Sequence, residues 1–176
     1  FPADKTARKI YLISGIPIYI TMILVYWSAQ QIPTGWIAII FGLTPILTWL
    51  LSSIILKEHN LYGSNLVGIG LGFTGLIIVF SQGLAFTQTA WVGVIMVLVG
   101  ATVQATGAVL LKQLQPSMSS LSVATGGLLV ATSLFIITFL LWQEWPEVIS
   151  DKTLYSSIYL GIFGSSLGFT LPEFKS

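Results

Sequence analysis

Residues 10–56 read IYLISGIPIYITMILVYWSAQQIPTGWIAIIFGLTPILTWLLSSIIL and contain no ionisable side chain other than tyrosine. Residues 61–111 and 113–143 are equally free of charged groups. The hydrocarbon core of a bilayer is about 30 Å thick, and about 20 apolar helical residues cross it. A helix also satisfies its own backbone hydrogen bonds in lipid. These stretches therefore predict helices that cross a membrane several times.

Six stretches are long and apolar enough to span a bilayer. They are 9–28, 34–56, 64–81, 90–111, 118–142 and 153–171. Six such stretches in 176 residues leave too little polar sequence to cover a water-soluble core. We therefore predict an all-α fold, a polytopic transmembrane helix bundle with six spans.

The overall composition excludes several classes of protein. Charged residues make up 7% of the chain and hydrophobic residues 55%, whereas charged residues are roughly 25% of an ordinary soluble domain. A net charge of +1 provides no electrostatic attraction for a nucleic acid. The absence of cysteine excludes a disulfide framework. The expected partners are the lipid bilayer and a small-molecule substrate, with no nucleic acid.

The short loops predict how the chain is oriented. If the first helix leaves the cytoplasm, six basic residues lie on the cytoplasmic side and one, Lys152, lies on the other. The cytoplasmic set is Lys5, Arg8, Lys9, Lys57, Lys112 and Lys175. Because basic residues favour the cytoplasmic side, we expect a multi-pass protein of the cytoplasmic membrane with this orientation.

Glycines recur at spacings that suit close helix packing. Lipid provides no hydrophobic drive between helices, so contacts in membranes favour small residues. The predicted packing residues are Gly68, Gly72, Gly75, Gly93, Gly100, Gly107, Gly164 and Gly168. The simpler interpretation is packing within one chain. The alternative is a homodimer that pairs through Gly68 and Gly72.

Prolines and uncharged polar residues within the spans are the candidates for a substrate pathway. Pro45 should free the carbonyl of Phe41 from its helical hydrogen bond, and broken helices line cavities in transporters. On the first predicted helix, Tyr19, Tyr26 and Gln30 form a stripe of polar and aromatic side chains. On the fourth, Gln104 contributes an amide. The pathway candidates are Tyr19, Tyr26, Gln30, Pro45, Trp49 and Gln104. The alternative role for each polar group is a hydrogen bond between helices.

Signatures of catalysis are missing from the sequence. The single histidine, His59, lies beside one carboxylate, which is too few ligands for a zinc site. There is no phosphate-binding glycine loop outside the membrane spans. We therefore predict no catalytic residue, no metal and no cofactor, and a protein that is not an enzyme.

Residues 43–80, LTPILTWLLSSIILKEHNLYGSNLVGIGLGFTGLIIVF, resemble the end of a first EamA repeat of the drug/metabolite transporter (DMT) superfamily. Pro45, Glu58, Gly68 and Gly75 carry this resemblance. The second half is similar to the opening of a second repeat, in residues 91–114 (WVGVIMVLVGATVQATGAVLLKQL), 116–144 (PSMSSLSVATGGLLVATSLFIITFLLWQE) and 153–171 (TLYSSIYLGIFGSSLGFTL).

The resemblance implies an architecture and an activity. Members of the family have ten helices in two inverted five-helix repeats, so residues 1–82 would hold the last three helices of the first repeat. Residues 83–176 would hold the first three helices of the second. The implied function is secondary transport, by efflux or uptake, of small metabolites or drugs, here in a truncated copy. The alternative is an integral membrane subunit that serves structure or assembly without transport.

Overall fold

The computed structural model describes residues 4–57, 70, 72, 74–75, 88–114, 118–142, 155–156 and 159. Within these ranges the regular structure is helical throughout. The helices are α1 (Lys5–Ala29), α2 (Thr34–Phe41), α3 (Thr44–Ile55), α4 (Gln88–Leu114) and α5 (Ser120–Trp142). The prediction of an all-helical membrane bundle is confirmed.

Four of the predicted spans have counterparts among the described residues. Helical segments long and apolar enough to cross a bilayer occupy Lys5–Ala29, Thr34–Ile55, Ala90–Leu114 and Ser120–Trp142. The predicted spans 64–81 and 153–171 lie almost wholly outside the described residues. The count of six spans and the inversion of the two repeats therefore stay predictions.

Helix α1 packs against both α4 and α5, while α2 and α3 pack on α4. Along the α1–α4 contact, Pro17 faces Gly107 and Thr21 faces Gly100, so the two helices are antiparallel. Along the α1–α5 contact, Tyr11 meets Gly126 and Tyr19 meets Thr138, so these helices are parallel.

A cluster of buried apolar side chains joins the turn after α1 to α2 and the N-terminal half of α4. Its buried members are Ile32, Ile37, Ile40, Ala90, Val94 and Val97. On α4 the buried side chains continue at Ala101, Ala105 and Val109, a spacing of three to four residues that marks one face of a helix. The opposite face of α4, including Ile95 and Val99, is exposed.

The predicted span 34–56 is divided at its middle into two helices, and Pro45 does not act as a kink inside one of them. Helix α2 ends at Phe41, and Pro45 lies in the first turn of α3, where the N–H it lacks would have no helical partner. The Phe41 carbonyl, predicted to lose its partner, accepts a hydrogen bond of 2.6 Å from the Thr44 hydroxyl. An unsatisfied carbonyl in hydrocarbon would cost several kcal/mol, so Thr44 makes the break tolerable in a membrane.

Candidate functional site

Tyr19 lies in the contact between α1 and α5. Its ring is tilted against Phe135 with centroids 5.0 Å apart. Thr138 already donates its hydroxyl proton to the Leu134 carbonyl at 2.9 Å, so the Tyr19 hydroxyl donates to Thr138 Oγ1. Tyr19 is therefore held by a hydrogen bond between helices, which is the alternative role that the sequence left open for it.

Tyr26 lies nearer the C-terminal end of α1 and is 66% exposed. It borders an open groove of about 370 Å³ between α1 and α5. The groove is lined by Ile23, Tyr26, Trp27, Phe135, Thr138, Phe139 and Trp142. Gln30 is exposed beyond the end of α1 and does not line this groove.

Gln104 lies on α4, four residues after Gly100 and three before Gly107. These three positions share one helical face, and the two glycines contact α1. The Oε1 atom of Gln104 is buried and has no hydrogen-bond partner among the described residues. Gln31, in the turn between α1 and α2, has a buried Oε1 atom in the same condition.

The structure does not bring all pathway candidates into one cavity. Tyr19 and Tyr26 lie on the side of α1 that meets α5, whereas Gln104 lies on the face of α4 that meets the other side of α1. On α3, Pro45 is exposed and Trp49 is half-buried. A shared pathway through all six residues stays a prediction.

Two of the predicted packing glycines, Gly100 and Gly107, contact α1, and a third, Gly93, contacts the turn that follows it. A side chain at Gly107 would place its Cβ 2.6 Å from the Pro17 ring, and one at Gly93 would lie 3.0 Å from Ile32. At Gly100 the nearest atoms, in Thr21 and Leu24, are 3.6 and 3.7 Å away. Thr21, itself buried, donates a hydrogen bond of 2.9 Å to the Gly100 carbonyl.

The other predicted glycines have fewer described contacts. A Cβ at Gly72 would lie 3.4 Å from Ile46, and one at Gly75 would meet nothing within 4 Å among the described residues. Gly68, Gly164 and Gly168 lie outside the described residues.

Among the described residues, the closest approaches between helices involve glycines that the sequence did not lead us to predict. A Cβ at Gly15 would lie 2.5 Å from the carbonyl oxygen of Gly127 and 2.7 Å from Val130. A Cβ at Gly126 would overlap the ring of Tyr11, and one at Gly127 would overlap Ser14. The adjacent glycines Gly126 and Gly127 could have indicated this close packing from the sequence. Two glycines destabilise a helix, so their presence suggests that a close contact requires them.

A cavity of about 420 Å³ lies where Pro17 of α1 approaches α4. Its lining is Pro17, Ile95, Leu98, Val99, Thr102, Val103, Thr106, Gly107 and Leu110. Thr102 donates its hydroxyl to the Leu98 carbonyl at 2.8 Å, and Thr106 donates to the Thr102 carbonyl at 2.7 Å. Within the described ranges, no group of three His, Cys, Asp or Glu residues could hold a metal ion.

These helices define an integral membrane protein of the helical class. Residues 91–173 match the EamA-like transporter family, which confirms the resemblance derived from the sequence. This match covers most of α4 and all of α5.

A curated relative extends the similarity over most of the chain. Protein PecM of Dickeya dadantii (strain 3937) is 24% identical over 163 residues. The alignment covers 92% of this chain and 54% of PecM, so the chain spans about half the length of this relative. No solved structure matches the chain significantly.

Proposed function

We propose that this chain forms part of a DMT-type secondary transporter, which carries small metabolites or drugs across the cytoplasmic membrane. The observation that carries the proposal is the EamA-like match over residues 91–173. In secondary transporters, repeats move against each other around a site near the bilayer midplane. The α1–α4 and α1–α5 contacts would be the moving surfaces between the two repeats.

The division between α2 and α3 supports this proposal. It lies at the middle of the Thr34–Ile55 span, and Gln104 lies only three residues beyond the middle of α4. Three residues correspond to about 4.5 Å along a helix, so both features lie close to the midplane. Transporters place interrupted helices and polar groups at this depth.

The directions of the helices support the assignment of residues 1–82 and 83–176 to two repeats. The turn after α1, at Gln31 and Ile32, meets Gly93 near the start of α4. Helices α2 and α3 follow that turn and pack on α4, so they run in the same direction as α4. The end of α3 and the start of α4 would then lie on opposite sides of the membrane, which supports the predicted span 64–81.

The central test is transport by reconstituted protein. The protein encoded by the reading frame that contains these residues, placed in liposomes, should exchange radiolabelled solutes by saturable counterflow. Gly100→Leu should abolish the exchange, because the bulky side chain extends beyond the 3.6–3.7 Å gap to Thr21 and Leu24. Gly35→Leu is the matched control, since a Cβ there meets nothing within 4 Å.

The same liposomes distinguish the alternatives. The 176-residue chain by itself should show no saturable exchange, because the proposal treats it as a truncated copy. Saturable exchange by the chain alone would show that it suffices for transport. Absence of saturable exchange from the protein encoded by the whole reading frame would favour a structural or assembly subunit.

The proposed orientation has a separate test, which the lack of native cysteines makes simple. A cysteine placed at Lys57 should be protected from an impermeant thiol reagent added outside intact cells. A cysteine at Thr34, at the other end of the α2–α3 segment, should be labelled. The reverse pattern would invert the orientation derived from the basic loops.

A further inference from the structure

The N-terminal end of α1 is strongly basic. Lys5, Arg8 and Lys9 fall within the first five residues of the helix, and all three are exposed. Among the described residues the single carboxylate is Asp4, which directly precedes the helix. None of the three cationic side chains forms a hydrogen bond or an ion pair with another described residue. This end of α1 therefore carries a surplus of positive charge that is open to an anionic ligand.

Two of these cations lie on a face of α1 that stays exposed along the helix. Lys5 and Lys9 are about one turn apart, and each is two residues from the buried Ala7. Two residues correspond to a little more than half a turn, so both lysines lie opposite Ala7. At helical spacing the same face continues with Leu12 and Ile16, which are 46% and 39% exposed. These four residues, Lys5, Lys9, Leu12 and Ile16, form an exposed stripe that is cationic at its start and apolar beyond it.

The two lysines lie at the depth where hydrocarbon meets headgroups. Pro17 is the middle residue of the 25-residue helix α1. With Pro17 at the middle of the bilayer, Lys9 and Lys5 lie about 12 Å and 18 Å from the middle, at 1.5 Å for each residue. The hydrocarbon of one leaflet is about 15 Å deep. The backbone of Lys9 therefore lies within the hydrocarbon, and its long side chain extends to the headgroups, where phosphates are the anions at hand.

The cavity between Pro17 and α4 continues the same side of α1 toward the middle of the membrane. Lys9, Ile13 and Pro17 follow one another at four-residue spacing, so they lie along one side of the helix. The lining of the cavity extends along α4 to Leu110. Because α1 and α4 are antiparallel, the Leu110 end of the cavity is the end nearer Lys9. A cation near one end of a mainly apolar cavity is complementary to a lipid with an anionic headgroup.

We propose that Lys5 and Lys9, with Arg8 beside them, bind the phosphate of an anionic phospholipid. One acyl chain of this lipid lies along the exposed stripe and enters the cavity at Pro17. Anionic lipids attract basic segments at the ends of membrane helices. The preference of basic residues for the cytoplasmic side would be met by lysines on any face of α1, so it does not explain their position on the exposed stripe. In the proposed orientation the lipid belongs to the cytoplasmic leaflet.

The test places a fluorescent reporter on a single introduced cysteine, since the chain has none of its own. One reporter replaces Leu12 on the exposed stripe, and the other replaces Leu128, an exposed residue in the same half of α5. The chain is placed in phosphatidylcholine nanodiscs with a minor fraction of brominated phosphatidylglycerol or, in a parallel sample, of brominated phosphatidylcholine. Bromine quenches a fluorophore that it contacts. Brominated phosphatidylglycerol should quench more strongly than brominated phosphatidylcholine at Leu12, and equally at Leu128.

Two variants locate the cations, and a third is their matched control. Lys5→Gln and Lys9→Gln should each reduce the preference for phosphatidylglycerol at Leu12 by about fivefold, the effect of one charge near a membrane surface. Lys57→Gln removes another exposed lysine, which lies just beyond α3 and is predicted on the same side of the membrane. This control should keep the preference of the wild type. Quenching by brominated phosphatidylcholine should be the same in all three variants, as expected if the bundle stays folded.

Equal quenching by the two lipids at Leu12 would overturn the proposal. A preference of the same size at Leu128 would also overturn it, because the whole chain would then attract anionic lipid without a site. So would a preference that survives both Lys5→Gln and Lys9→Gln. Excess soluble sn-glycerol 3-phosphate should leave the preference unchanged, because the acyl chain contributes to binding. Loss of the preference in its presence would show that the cations bind free phosphates and not a lipid.

Discussion

Replacing Gly15 with alanine is expected to separate α1 from α5 and to cost the bundle much of its stability. The new Cβ would lie 2.5 Å from the backbone carbonyl oxygen of Gly127, and a backbone atom cannot rotate aside as a side chain can. Forcing one carbon into a packed contact costs about 1–3 kcal/mol, occasionally more. The loss should lower the melting temperature in detergent by about 2–4 °C for each kcal/mol.

Gly35→Ala is the control for this prediction, because a Cβ at Gly35 meets nothing within 4 Å. Alanine favours helix over glycine by up to about 1 kcal/mol, so the control should melt at the same temperature or slightly higher. A Gly15→Ala protein that melts like Gly35→Ala would show that α1 and α5 do not cross at these glycines.

A second large effect is expected from alanine at Gly107, and the opposite effect from alanine at Gly100. The two glycines lie seven residues apart on one face of α4, so the substitutions are chemically and positionally matched. At Gly107 the Cβ would lie 2.6 Å from the rigid ring of Pro17, whereas at Gly100 the nearest atom is 3.6 Å away. Gly107→Ala should therefore destabilise the bundle by about 1–3 kcal/mol.

Gly100→Ala should instead stabilise α4 by up to about 1 kcal/mol, because it gains helix propensity without a clash. Thermal unfolding of both variants in the same nanodiscs is the measurement. Two equal shifts, in either direction, would show that the Pro17–Gly107 approach does not determine how α1 packs on α4.

The sequence was sufficient to predict where the long apolar helices of the described residues lie. Hydropathy alone placed the spans 90–111 and 118–142 within a few residues of Ala90–Leu114 and Ser120–Trp142. This success has a simple cause, since a bilayer sets both the length and the polarity of whatever crosses it. The EamA resemblance was also visible in the sequence and is confirmed over residues 91–173.

Pairwise contacts between helices were harder to predict. The spacing of Gly93, Gly100 and Gly107 marks a face of α4, but nothing in that spacing identifies α1 as the helix that approaches it. Tyr19 was grouped with a polar stripe, yet its partner Thr138 lies 119 residues away. Such contacts depend on the relative rotation and height of two helices, and these are properties of the assembled bundle.

The interruption at Pro45 shows how a local rule can be right about the place and wrong about the outcome. The rule predicted a disturbed hydrogen bond at the Phe41 carbonyl, and the disturbance lies there. Whether the chain bends or begins a new helix depended on Thr44, whose side chain can reach back to that carbonyl. The position of the proline alone therefore does not predict whether the helix bends or is divided, because the outcome also depends on the residue before it.

The division into α2 and α3 also bears on how the protein enters the membrane during synthesis. The eight residues of α2 and the twelve of α3 reach about 12 Å and 18 Å. Neither half alone covers a hydrocarbon core of about 30 Å. The translocon must therefore accept the whole Thr34–Ile55 segment as one unit, by its summed hydrophobicity. Since α4 is synthesised later, the surface on which both halves pack becomes available only after that segment has left the ribosome.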